Sequence, residues 1–148
     1  MILYFDDLSV GRQFESASTV MDAAAIKAFA AEFDPQPFHL DEVAAKATLF
    51  GGLAASGWHT AAVTMRLLVE SVPVAGGIIG ASNEIAWPRP TRPGDVLTVF
   101  SEVMALEPSA SRPDRGRVVM RSETRNQRGE VVQVLTARLV VPRRLETP

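Results

Sequence analysis

The hydrophobic rhythm of the chain changes near its middle. In the first half apolar positions recur at helical spacing. Ile26, Phe29, Ala30 and Phe33 fall on one face of a helix predicted over Ala23 to Phe33, with Asp22 placed as its N-cap. Trp58, Ala61, Ala62, Met65, Leu68 and Val69 repeat that spacing, and Ala54, Ala55 and Val63 widen the apolar surface. This predicts a long central helix from about Gly57 to Ser71, buried on most sides and stopped by Pro73 with Gly76-Gly77. A shorter helix over Asp41 to Ala47 is predicted with Val43 and Ala47 inward, and Arg12 to Val20 reads as a strand after an extended lead-in over residues 1–11. In the second half Val, Ile, Leu and Thr dominate. Ile78 to Trp87, Asp95 to Leu106, Arg117 to Thr124 and Val131 to Val141 read as four strands. Asn126-Gln127-Arg128-Gly129 predicts a hairpin turn, and Pro108 to Gly116 a longer polar connection. One buried helix followed by antiparallel strands predicts an α+β architecture, the sheet wrapped around the helix. No repeat or linker divides the chain, so one domain is expected across 1–148.

Composition narrows the function classes. A chain of 148 residues, 47% hydrophobic and 22% charged, can bury a core and is not of the disordered class. Its net charge of −2 gives no basic footprint for nucleic acid. It contains no cysteine, which excludes disulfides, thiolate metal ligands and a cysteine nucleophile. The first residues are acidic early and carry no secretory pattern, and no stretch reaches the roughly 18 apolar residues of a membrane helix. A cytoplasmic protein without a membrane partner is the expectation.

The stretch with most chemical content is Phe33-Asp34-Pro35-Gln36-Pro37-Phe38-His39. Pro35 and Pro37 fix their own φ and push Asp34 and Gln36 away from helical geometry. A carboxylate and an imidazole on a stiffened loop can serve as an acid–base pair around a water. Spacing alone also admits a capping Asp and a packed His. Further on, Gly51-Gly52 and Ser56-Gly57 bracket a turn of small residues ahead of the central helix. Ser56 is placed as N-cap, and the free N–H groups behind it, with Gly57 allowing close approach, would stabilise an anion. An ordinary cap with tight packing fits the same residues.

Taken together, Asp34-Pro35-Gln36-Pro37-Phe38-His39-Leu40-Asp41, Phe50-Gly51-Gly52-Leu53-Ala54-Ala55-Ser56-Gly57 and Trp87-Pro88-Arg89-Pro90-Thr91-Arg92-Pro93-Gly94-Asp95 resemble the MaoC-like dehydratase family of hot-dog fold proteins, which includes the (R)-specific enoyl-CoA hydratases. The likeness runs over nearly the whole chain. It implies Asp34 and His39 as the catalytic pair and Gly57 as the residue whose N–H polarises a thioester carbonyl, with Ser56 beside it. It implies a hydro-lyase that adds water to a trans-2-enoyl-CoA, with coenzyme A entering as part of the substrate and no other cofactor or metal. Two departures stand out. Pro35-Gln36 replaces a common Phe-Asn, and a serine near the active site of some hydratases corresponds to Met65.

Other chemistries have thinner support. Two histidines with Asp34 or Asp41 make a poor metal set. Ser56 lacks a nucleophile elbow, because Ala54 stands at its first glycine position. No dinucleotide fingerprint follows a strand. Arg89 and Arg92 are candidates for the phosphates of coenzyme A, although surface arginines are common. Two alternatives stay open. Thioester hydrolysis would need an acid from the central helix, where Glu70 is the only one and sits near the far end. A non-catalytic acyl-CoA-binding subunit would bind without turnover. An open sheet leaves an edge to be guarded, and the family resemblance implies a homodimer or higher homo-oligomer.

Overall fold

The computed structural model describes residues 1–145, so the last three residues of the expected domain lie outside the described residues. The chain adopts the α+β hot-dog architecture, an antiparallel sheet wrapped around a long helix. A 3₁₀ turn at Phe5–Asp7 precedes strands β1 (Gln13–Glu15) and β2 (Thr19–Met21). Helices α1 (Ala23–Phe33), α2 (Pro37–Leu40), α3 (Glu42–Lys46) and α4 (Gly57–Ser71) follow, then strands β3 (Ile79–Ala86), β4 (Asp95–Pro108), β5 (Arg115–Arg125) and β6 (Val131–Pro142). The sheet order is β1-β4-β5-β6-β3, with β2 also on β4.

The long strands form where β-branched residues alternate with polar ones. Along β4 and β5 every second residue is buried, from Asp95 to Val103 and from Gly116 to Thr124. Cα partners run from Thr98↔Arg125 to Pro108↔Gly116 between these two strands, and from Arg115↔Pro142 to Arg125↔Val131 between β5 and β6. The β5–β6 turn closes as its sequence requires. Gly129 takes φ +76°, and the Asn126 side-chain oxygen accepts from the N–H groups of Arg128 and Glu130, each at 3.0 Å.

The core has two parts. Leu67 and Leu68 of α4 pack on Val99, Val103, Val118, Met120 and Leu139 of the sheet. Burying one such leucine is worth about 1.5–3 kcal/mol. A second cluster joins Met21, Ile26, Ala45, Leu53, Ala55, Leu97 and Val132, and Phe38 packs partly against it. This second cluster carries the loop discussed below.

Several elements depart from expectation. The predicted strand over 12–20 is two three-residue strands, both pairing with β4 on either side of Ser16, whose hydroxyl accepts from Val99 N–H at 2.8 Å. Strands β4 and β5 extend into the predicted polar loop, because their antiparallel pairing continues to Pro108↔Gly116. In α3, Val43 and Ala47 are exposed and Ala45 faces the core. Phe33 is 66% exposed, so only Ile26 and Ala30 are fully buried on α1. Helix α4 is not covered on most sides. Trp58, Ala62, Met65 and Val69 form an outward stripe, whereas His59, Thr60, Thr64, Leu67 and Leu68 face inward. Buried hydroxyl pairs make the polar inward positions tolerable: Thr60 with Thr91 at 3.0 Å, and Thr64 with Thr124 at 2.6 Å. Among the described residues no helix is long and apolar enough to cross a membrane.

Candidate active site

Asp34 is the residue after α1 and serves as its C-cap, its N–H donating to Ala30 O at 2.9 Å. Its backbone (φ −153°, ψ 66°) is non-helical and Gln36 is extended, which is the geometry each preceding-proline position demands. Pro37 then opens α2 at a position where its missing N–H costs nothing. The stiff loop thus resolves into one helical turn, and that turn aims His39 back at Asp34. His39 Nε2 stands 3.2 Å from Asp34 Oδ2.

The remaining hydrogen bonds fix what each group can do. His39 is buried, and its Nδ1 meets the carbonyl of Ala54 at 2.6 Å. A carbonyl only accepts, so Nδ1 carries a proton, and Nε2 is the nitrogen that faces the Asp34 carboxylate. The Gln36 side-chain amide donates to Asp34 Oδ1. Burial pushes the Asp34 carboxyl upward, but hydrogen bonds from Gln36, from the Ser56 hydroxyl and from His39 outweigh it, and the group is held below the usual 3.8. Asp34 is therefore an ionised acceptor at neutral pH.

Ser56 is fully buried and caps α4, accepting from Trp58 N–H at 3.3 Å. Gly57 is the first residue of α4, so its N–H has no intrahelical acceptor and lies at the positive end of the helix. A Cβ at Gly57 would come within 2.7 Å of the Trp87 indole, so close approach of that ring requires glycine there.

His39 and Gly57 share a cavity of about 350 Å³, walled by Phe38, Phe50, Thr60 and Trp87 among others. Arg89 is at its rim, 60% exposed in its side chain and paired with Glu130 at 3.1 Å. Arg92 is turned elsewhere. Its guanidinium donates to the carbonyls of Gly52 (3.0 Å), Leu53 (3.3 Å) and Phe50, so it is taken up by the loop rather than offered to a phosphate. Met65 lies on the outward stripe of α4. Another cleft, of about 420 Å³, crosses the outer face of the sheet, where Glu123 is neutralised by Arg121 and Arg125 and no histidine reaches it. Among the described residues no three His, Asp or Glu side chains converge as a metal site would need.

The structure brings the candidates Asp34 and His39 together and puts Ser56 and Gly57 at the start of α4, and sequence reasoning missed the parts around them. Gln36 was read as a stiffened loop position and as a departure from a family pattern, and it is a donor to Asp34. Trp87 was read as a strand end and as the first residue of the Trp87 to Asp95 motif, with no place in the site. Gln133, a polar residue within an apolar run, was the available signal for its partner: its Oε1 accepts from Trp87 Nε1 at 2.9 Å.

The chain is similar to known proteins over most of its length. A family model described as MaoC like domain matches residues 7–125. The crystal structure of a MaoC-like dehydratase from Rhodospirillum rubrum is 64% identical, superposes with a TM-score of 0.95, and the match covers 97% of this chain and 99% of that one. The 3-hydroxybutyryl-CoA dehydratase of Methylorubrum extorquens is 34% identical over 116 residues, 75% of this chain and 70% of that protein. An uncharacterized Bacillus subtilis protein, YdeM, is 32% identical over 125 residues, 83% of this chain and 87% of its own length.

Proposed function

The chain belongs to the MaoC-like domain family, and from that premise we propose that it is a hydro-lyase adding water reversibly to a trans-2-enoyl-CoA to give a 3-hydroxyacyl-CoA. The observation that carries the reading is His39, 3.2 Å from Asp34 through Nε2, on the wall of a cavity that also reaches Gly57 at the start of α4. The name of the Methylorubrum relative, a 3-hydroxybutyryl-CoA dehydratase, supports the same reaction class.

In this proposal the thioester carbonyl lies at Gly57 N–H and a water is held between Asp34 and His39 Nε2. Asp34, ionised and held by Gln36 and Ser56, takes a proton as the water oxygen bonds C3. Electron density moves to the carbonyl oxygen, where Gly57 N–H and the helix start stabilise it. His39 Nε2 orients the water and relays a proton, and C2 receives one to complete the addition. Ala54 keeps the other ring nitrogen occupied, so the ring has one working nitrogen. The reaction as written needs no cofactor beyond the coenzyme A of the substrate. Arg89 at the rim is the guanidinium placed for its phosphates. Hydrolysis has less support, because Glu70 pairs with Arg66 on the exposed far end of α4. A homodimer completes the proposal, with the outward stripe of α4 and strand β3 as its surface.

The test follows the ultraviolet absorbance of crotonyl-CoA with the protein and its Asp34→Asn variant. One lost proton transfer is worth about 10²–10⁴-fold, so the variant is expected to lose that much turnover with an unchanged melting temperature. Wild-type turnover in a folded Asp34→Asn variant would sink the mechanism, and thiol release in place of hydration would sink the reaction.

A further inference from the structure

The indole of Trp87 is held on three sides, which is unusual for a residue just past the end of a strand. Its ring lies against Gly57, where even a methyl group would come within 2.7 Å. Its Nε1–H donates to Gln133 Oε1 at 2.9 Å. The Trp58 ring meets it edge to face, with centroids 5.3 Å apart. The ring is also a wall of the cavity that holds His39.

Gln133 adds a second, independent observation. It is fully buried on β6, and among the described residues its Nε2 has no hydrogen-bond partner. An unpaired buried donor weakens folding, and a leucine of similar size would avoid that penalty. Packing alone therefore gives no reason for glutamine here, whereas holding the Trp87 N–H does. Beside the indole, the cavity wall is the Thr60–Thr91 hydroxyl pair, bonded at 3.0 Å. A growing hydrocarbon chain meets the fixed ring at this wall.

We infer that Trp87 sets the length of the acyl group accepted by this site, restricting it to short chains, and that Gln133 is the positioning residue that holds the ring in place. The inference rests on the acyl-CoA reading given above. Replacing the indole with a small side chain opens room for several methylenes, and each methylene buried is worth about fourfold in affinity.

The experiment measures binding by calorimetry, using butyryl-CoA and octanoyl-CoA, which are saturated and are not turned over by hydration. It compares the wild-type protein with Trp87→Ala, Trp87→Leu and Gln133→Leu. The wild type is expected to favour butyryl-CoA by about tenfold, and both Trp87 variants to reverse that preference. Gln133→Leu is expected to shift the ratio the same way by a smaller factor without lowering the melting temperature. A purely structural role for Gln133 would lower stability and leave the ratio alone. A wild-type preference for octanoyl-CoA, an unchanged ratio in the folded Trp87 variants, or no binding of either ligand would overturn the inference. Length-limited binding together with no hydration of the matching enoyl-CoA thioesters would instead overturn the hydratase reading and leave the role of Trp87 standing.

Discussion

Two imidazoles lie within this fold, and their surroundings assign them different work. His39 has a partner on each nitrogen, Ala54 O at 2.6 Å and Asp34 Oδ2 at 3.2 Å. His59 is 8% exposed, stacks on Phe29 with centroids 4.7 Å apart, and leaves Nδ1 without a partner. Burial pulls the His59 imidazole below its usual 6.5, and the charge of Asp22 opposes this only in part. The folded state thus resists a proton that the unfolded chain accepts. Stability is whole above the unfolded value near 6.5 and declines as pH falls below it, toward the lower folded value. Each pH unit within that window costs up to about 1.4 kcal/mol. The melting temperature of the wild type is expected to drop between about pH 7.5 and pH 5.5 more than that of His59→Phe, which cannot titrate. Parallel curves for the two proteins would remove His59 as the source. The sequence showed both histidines but could not rank them, because the distinction lies in partners contributed by distant segments.

Short elements are organised by side chains that reach across them, and Arg92 is the clearest example. Its guanidinium joins the carbonyls of Phe50, Gly52 and Leu53, which otherwise have no strand or helix to satisfy them. The next residue, Ala54, supplies the carbonyl that orients His39 and donates its own N–H to Phe38 O at 3.0 Å. Arg92→Met leaves three acceptors unpaired, and one such part-buried group costs about 1–3 kcal/mol. Urea denaturation is expected to show a loss of at least that size, with turnover falling as His39 loses its fixed orientation. An Arg92→Met protein of wild-type stability would show that the loop holds itself. Helix α4 carries the complementary lesson. Its boundaries follow from Ser56, Gly57 and Pro73, and the structure places them at Gly57–Ser71. Its inward face does not follow from hydrophobicity, since Thr60 and Thr64 turn in while Trp58, Met65 and Val69 turn out. Hydroxyl partners on Thr91 and Thr124 decide this, and they come from segments 31 and 60 residues away.

Over the whole molecule two features stay uncovered, the outward stripe of α4 and strand β3. β3 ends the sheet, pairs only with β6, and is exposed along almost all of its eight residues. A long free edge and exposed apolar side chains, Val69 at 57% and Ile79 at 56%, favour pairing with another chain. Light scattering is expected to give about twice the 16.0 kDa chain mass. The double variant Val69→Glu, Ile79→Glu is expected to run as a folded monomer, and a wild type that is itself monomeric would refute this. The sequence by itself determined the α+β class, the extent of α1 and α4 and the β5–β6 turn, because these rest on local signals: caps, prolines, glycines and periodicity within one segment; Asp34, His39, Ser56 and Gly57 it offered as candidates, through motifs that resemble a family. Tertiary structure alone decided that β1 and β2 are separate strands, that Val43 and Phe33 face outward, that Arg92 braces a loop, and that Gln133 holds Trp87 over Gly57. Each of these depends on a partner tens of residues away, and the pairing of such groups is set by how the layers pack.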